Sequence, residues 1–297
     1  MRMPSRLWIM VVACACAVTA SVEDRELVDA MGRRVRMPST PHRVVALAPS
    51  ITETIYSIGA GDAVVGVTDF TDWPAEAKQR PSVGGIVNPS IEKLVSLRPD
   101  VAIATREVNH KDTIDELDRL GIPVFVVDPQ GLDGVLESVR QIGRALNRSR
   151  EADRLVDQLR ARRDAVIARL RGLARPRVLL VIWPDPVITI GRHAFITDVI
   201  NAAGGQSVTE DLVQQYPQIS LEEVLRRNPE WLLLPASGHQ PISVADLERR
   251  PGWDRVDAVR GHHVLDYDER LEHSSPRAFD ALEDLAKHLH ADAFPRP

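Results

Sequence analysis

Short, densely apolar runs alternate along this chain with longer stretches in which apolar residues recur every three or four positions. Arg43-Val-Val-Ala-Leu-Ala48, Val64 to Thr68, Val101 to Thr105 and Ile122 to Val127 read as buried strands. Between and after them the helical period predicts a helix opened by a capping box at Ser50-Ile-Thr-Glu53 and ended by Gly59. A second is predicted from Thr113 to Leu120 with Gly121 as its stop, and a third from Leu132 to Leu146. Alternating strands and helices of this kind argue for a mostly parallel sheet covered on both faces.

One helix-then-strand pattern occurs twice, 130 positions apart. Ser90-Ile-Glu-Lys-Leu-Val95 runs on to Arg98-Pro-Asp100 and the apolar Val101 to Ala104. Ser220-Leu-Glu-Glu-Val-Leu225 runs on to Asn228-Pro-Glu230 and the apolar Trp231 to Leu234. Each serine is placed to cap a helix, and Ser220 with Glu223 also fits a capping box. Ile91, Leu94 and Val95 share one face, as do Leu221, Val224 and Leu225. Glu92 and Glu222 lie off that face in the first turn, where a negative charge suits the helix dipole. Self-similarity at this distance predicts two related lobes, each bearing one acid at the same place.

Between the halves, Ser149 to Arg171 contains no Gly or Pro and carries Leu155, Val156, Leu159, Val166, Ile167 and Leu170 at helical spacing, with Gly172 and Pro176 marking its end. It is far longer than a crossover needs and is expected to brace the lobes. The second half restarts with a strand at Arg177 to Trp183, a strand-like Val187 to Ile190 and a helix near Ala194 to Ala203 closed by Gly204-Gly205. After the repeat, a last helix begins beyond Ser275-Pro276. The expected division is 1–20 leader, 21–147 first lobe, 148–175 linker helix and 176–297 second lobe.

The N-terminus adds a compartment. Arg2 and Arg6 precede an apolar Leu7 to Val18, and Val18-Thr-Ala20 suits signal peptidase, so export with cleavage after Ala20 is expected. Val11-Val-Ala-Cys14 resembles a lipobox and gives the alternative of a lipid anchor on Cys14. Both cysteines, Cys14 and Cys16, fall inside this segment, so the mature chain is expected to have no disulfide, thiol nucleophile or cysteine metal site. A chain of 297 residues with a net charge of −5 and interspersed signs offers no basic face for nucleic acid. Gly59-Ala-Gly61 with Gly66 follows a helix and so lacks the strand-to-helix context of a dinucleotide loop. His288 and His290 do not share a helical face, His262 and His263 are adjacent, and no metal or cofactor is expected. No Ser/His/Asp motif has recognisable context, so no catalytic residue is assigned, although an exported bilobal α/β hydrolase or transferase stays open as a rival.

Several stretches resemble one family. Arg43-Val-Val-Ala-Leu-Ala-Pro-Ser-Ile-Thr-Glu53, Asp72-Trp-Pro74, Ser90 to Asp100, Tyr216-Pro-Gln-Ile-Ser-Leu-Glu222 and Ser274-Ser-Pro-Arg277 together resemble the class III periplasmic binding proteins, and within them the cobalamin-binding proteins of B12 importers. The resemblance implies two Rossmann-like lobes joined by one long helix, a ligand cleft between them, and a non-enzymatic carrier. It also implies that Glu92 and Glu222 meet arginines on a two-fold ABC permease dimer. The chain itself is expected to be monomeric.

For the cleft, the family pattern places Trp73 and Tyr216 at aromatic ligand positions and Ser50 in the first motif, while Trp183, just after a strand, is added as a candidate from position alone. Ile86, Thr105 and Arg270 stand where the best-known cobalamin binder has tryptophans, so the aromatic box is thinner here. Arg106, Arg192 and Arg270 would instead face an anionic metal chelate such as a ferric siderophore or haem.

Overall fold

The computed structural model describes residues 24–236, 243–267 and 269–294. The expected leader and the Cys14 alternative lie outside the described residues. The described residues open with a hairpin, β1 (Asp24–Val28) against β2 (Arg34–Pro38), which no apolar run in the sequence marks. It continues through β3 (Val44–Ala46), α1 (Pro49–Ser57), β4 (Val64–Gly66), α2 (Ile91–Ser96), β5 (Val101–Thr105), α3 (Lys111–Arg119), β6 (Val124–Val127) and α4 (Gly131–Ala145). The linker helix α5 (Ser149–Arg169) follows. The second half is β7 (Arg177–Leu180), β8 (Trp183–Pro184), β9 (Val187–Ile188), α6 (Phe195–Ala202), β10 (Gln206–Ser207), β11 (Gln218–Ile219), α7 (Leu221–Arg227) and β12 (Trp231–Pro235). It ends with α8 (Val244–Glu248), α9 (Asp257–Arg260), β13 (Val264–Tyr267), α10 (Glu269–Glu272) and α11 (Ala278–Leu289).

Two four-stranded sheets result, ordered β4-β3-β5-β6 and β10-β7-β12-β13, and every pairing in them is parallel. In both, the lobe's strands lie in the order second, first, third, fourth. The sequence repeat is therefore a repeat of topology, with α2 and α7 each entering the third strand of their sheet. A small antiparallel sheet, β11-β9-β8, is added to the second lobe ahead of α7.

The repeated residues do matching work. Ser90 and Ser220 cap their helices through Oγ, accepting from Lys93 N at 3.3 Å and Glu223 N at 3.2 Å. The pattern is only half a capping box at Ser220, because the Glu223 carboxylate turns to Arg226 and Arg227. Arg98 and Asn228, each eight residues after its serine, both leave their helix in the left-handed region at φ 44°. The acids two residues later hold the start of each lobe's first strand: Asp100 accepts from Arg43 N at 2.8 Å and Glu230 from Arg177 N at 2.8 Å. Arg43 and Arg177 answer by donating Nε to the carbonyls of Arg98 and Asn228. The serine, the acid and the arginine are thus used up in making the fold.

Helix α5 packs against α4 of the first lobe and α11 of the second. At 21 residues it spans roughly 31 Å. Neighbouring arginines bind it to both sides: Arg163 donates to Asp133 on α4 at 2.6 Å, and Arg162 to Asp280 and Glu283 on α11 at 2.6 and 2.7 Å. Ala152, Val156, Leu159 and Val166 are buried as the period requires, whereas Ile167 remains 43% exposed. One apolar cluster runs without a break from Val135, Leu136, Val139 and Ile142 on α4 to Val199 and Ile200 on α6 and Phe279 and Leu282 on α11. The lobes also meet where Asp198 Oδ2 accepts from Leu132 N at 2.7 Å. Gly131 (φ 63°) makes room there, since a Cβ would stand 2.8 Å from that oxygen.

Candidate functional site

Loops leaving the carboxyl ends of the two sheets face each other, and they carry a polar cluster that joins the lobes. On the first lobe the loops are fixed by Asn109, which is buried. Its side chain accepts from Thr105 N at 2.8 Å and donates to the carbonyls of Leu47 and Ile86 at 2.9 and 3.0 Å, bridging three segments of that edge. Beside it, helix α1 starts two residues earlier than its sequence suggests. Pro49 takes the first position and Ala48 caps by backbone alone, so the expected capping box of Ser50 and Glu53 does not form. Glu53 is instead 1% exposed and reaches the other lobe.

Three groups of the second lobe converge on that carboxylate. Oε1 lies 2.8 Å from His273 Nδ1 and 3.1 Å from Arg277 Nη1, while Ser275 donates its hydroxyl to Oε2. Arg277 continues to Glu269 Oε1 at 3.2 Å and holds its guanidinium over the Trp73 ring, 5.1 Å from the centroid. Next to this, Ser274 donates to Glu107 Oε2 at 2.8 Å. A serine, a histidine and a carboxylate are therefore together, but serine and histidine both address the carboxylate. Activation of a nucleophile needs the hydroxyl to give its proton to the imidazole, so this wiring is that of a clamp.

The environment shifts several of these groups. Burial works against a charged His273, but the hydrogen bond and charge of Glu53, with Glu272 and Glu269 nearby, win and raise its pKa above the usual imidazole value. Burial also pushes the Glu107 carboxyl up, with the charge of Asp128 adding to it and the Ser274 hydroxyl working against it. The Tyr216 phenol is raised by burial and then by the charge of Glu107. Tyr267 is raised by burial, then by Glu272 and Tyr216, which puts both phenols in one acidic neighbourhood.

A pH dependence follows for the clamp. Imidazolium His273 faces Glu53, Glu269 and Glu272, with Arg277 as its cationic neighbour on Glu53. Because its folded-state pKa is the higher one, its stabilisation is complete below the ordinary value of about 6.5 and is lost as pH rises through the folded value. Thermal unfolding is accordingly expected to show a midpoint falling from pH 6 to pH 8, and His273→Gln to flatten that fall. An unchanged slope in the variant would remove His273 from the account.

The structure spreads the sequence candidates over several places. Trp73 joins the clamp through Arg277, and Tyr216, 55% exposed, sits within the electrostatic reach of Glu107 and Glu272. Ser50 is buried in the first turn of α1, its carbonyl accepting from Thr54 Oγ1 at 2.8 Å. Trp183 closes its own hairpin, Nε1 donating to the Asp185 carbonyl at 2.8 Å. Arg106 pairs with Asp128 at 3.3 Å, Arg270 with Asp284 on α11 at 3.0 Å, and Arg192 donates to the Glu210 carbonyl at 3.1 Å. Glu92 and Glu222 are both exposed, in the first turns of α2 and α7. Glu222 is held below the usual carboxylate range by its own backbone N–H and by the Ser220 hydroxyl. Glu53, Glu107, His273 and Asn109 were not among the site candidates; only the motifs around Glu53 and Arg277 pointed to their neighbourhood.

Among the described residues no three His, Cys, Asp or Glu side chains are arranged to hold a metal, and no helix is long and apolar enough to cross a membrane. The model of the periplasmic binding protein family matches residues 44–271, which takes in both sheets and the clamp carboxylates. The chain belongs to the periplasmic binding protein family. Among its relatives is an uncharacterised ABC transporter substrate-binding lipoprotein, YvrC of Bacillus subtilis, 30% identical over 274 residues, covering 90% of this chain and 85% of that one. Among solved structures, the periplasmic heme-binding protein RhuT from Roseiflexus sp. RS-1 is 27% identical with a TM-score of 0.78, covering 85% of this chain and 99% of that one. The periplasmic vitamin B12 binding protein BtuF of Vibrio cholerae is 25% identical with a TM-score of 0.75, covering 86% and 98%. This periplasmic binding protein thus has the class III fold, two α/β lobes on one long helix.

Proposed function

We propose that this chain is the exported, non-catalytic carrier of an ABC importer, and that it holds cobalamin or a related corrinoid between its lobes. Family membership and the names of its relatives support the carrier. The choice of cargo is carried by one observation: Arg277 and the candidate arginines already have partners, Arg277 in Glu53 and Glu269, Arg106 in Asp128, Arg270 in Asp284 and Arg192 in the Glu210 carbonyl. The neighbourhood is acidic: the carboxylate and phenol oxygens of Glu107, Glu272, Tyr216 and Tyr267 lie within electrostatic reach of one another, Glu107 also accepting from Ser274. A corrinoid offers a flat ring for Trp73 and Tyr216 to pack against, and a neutral rim of carboxamides whose N–H groups suit those acceptors. Haem propionates and catecholate or carboxylate siderophores carry net negative charge and ask for unengaged cations.

On this reading Glu92 and Glu222 present matching charges to the two halves of a permease, speeding encounter while leaving the contact releasable. Titration of the mature chain with cyanocobalamin, followed by calorimetry or tryptophan fluorescence, is expected to saturate at micromolar ligand or below. Silence towards corrinoids together with a saturable response to haem or a ferric hydroxamate would replace the cargo and keep the carrier.

A further inference from the structure

We propose that Arg277, on the second lobe, is the positioning residue for the ring of Trp73, on the first, so that the aromatic wall of the cleft is set by contact across the lobes. This rests on the reading of the cleft as the ligand site. Trp73 lies in a loop whose backbone is held at Asp69 (N to Gly84 O, 2.9 Å) and Thr71 (N to Thr68 O, 3.2 Å). Those bonds place the loop backbone and do not themselves fix the indole about its side-chain torsions. What stands over the ring is the Arg277 guanidinium, 5.1 Å from its centroid.

That guanidinium is itself held rigidly. Its two terminal nitrogens are taken by carboxylates from different lobes, Glu53 at 3.1 Å and Glu269 at 3.2 Å, and the side chain is only 15% exposed. Glu53 is locked in turn by Ser275 and His273. A planar cation held by two carboxylates and set over a ring restricts the orientation of that ring, and a lysine ammonium has neither the fork nor the flat face to do so. The covered face of the indole is thereby occupied by protein, so the opposite face is the one offered to a ligand.

The test is a cycle on the full mature chain: Arg277→Lys, Trp73→Phe and the double variant, each shown to be folded by its thermal transition. Ligand-free protein is read first by near-ultraviolet circular dichroism and indole emission. Arg277→Lys is expected to change both, and the change is expected to vanish when Trp73 is already phenylalanine. Cyanocobalamin affinity is read second. Arg277→Lys is expected to weaken it about three- to thirtyfold, with the double variant no weaker than the worse single one. Should the lysine variant fail to fold, Arg277→Gln keeps a planar group without the charge and enters the same cycle. A spectral change that persists without Trp73, no spectral change at all, or losses that simply add would overturn the proposal. Failure of the parent to bind any corrinoid would defeat the cargo reading alone, because the ligand-free spectra still decide the role of Arg277.

Discussion

Glu92→Ala combined with Glu222→Ala is expected to abolish uptake of the cargo by cells carrying the cognate importer. Ligand affinity should be unchanged, and unfolding free energy should stay within about 0.5 kcal/mol of the parent. The expectation comes from what the repeat does with its other members. The capping serines, the acids Asp100 and Glu230, and Arg43 with Arg177 each hold a strand end or a helix end. Glu92 and Glu222 recur with the same fidelity, yet they stand exposed at the mouths of α2 and α7. A position repeated at the exposed start of a helix in both lobes, with no more than a local interaction at the helix end, is expected to have a task outside the chain. Normal uptake by the double variant, at normal abundance in the periplasm, would remove the docking assignment. A large loss of stability would show the two acids to be fold elements after all.

Glu53→Ala is expected to cost about 3–5 kcal/mol of unfolding free energy, the range for stranding buried partners of an ion pair. The carboxylate is 2% exposed at its side chain and gathers His273, Ser275 and Arg277. Removing it leaves the hydroxyl and the imidazole without their shared acceptor and gives Arg277 only Glu269. Glu53→Gln keeps an acceptor and should cost less, about 1–3 kcal/mol. Urea unfolding of the three proteins in parallel checks the order parent, Gln, Ala. An alanine variant as stable as the parent would show that the clamp is not what holds the lobes at this edge.

The parts of the fold that were legible in the sequence are those written locally. A capped helix feeding an apolar strand announces itself over a dozen residues, so both copies of the repeat lie where their sequence puts them, and so does the linker helix apart from its last residues and the exposed Ile167. Strands β8 to β11, two residues each, are too short to display a period, and the β1–β2 hairpin carries its alternation in a charged context. The clamp was illegible for a different reason. Whether an acid three residues after a serine caps a helix or crosses to another lobe depends on where the helix begins, and Pro49 moved that point. Its partners then come from 220 or more residues away, where no spacing rule reaches. Arg270 shows the converse: its motif position suggested the cleft, while a neighbouring helix supplied Asp284.

The uninterrupted interior that passes from α4 to α6 and α11 bears on how a carrier like this announces that it is loaded. Jaws that share one packed centre have no hinge to snap, and prising them apart would expose the very surface that keeps the molecule folded. The gate it serves is therefore expected to tell full from empty chiefly by the cargo showing at the opening, not by a change in the silhouette of the bearer.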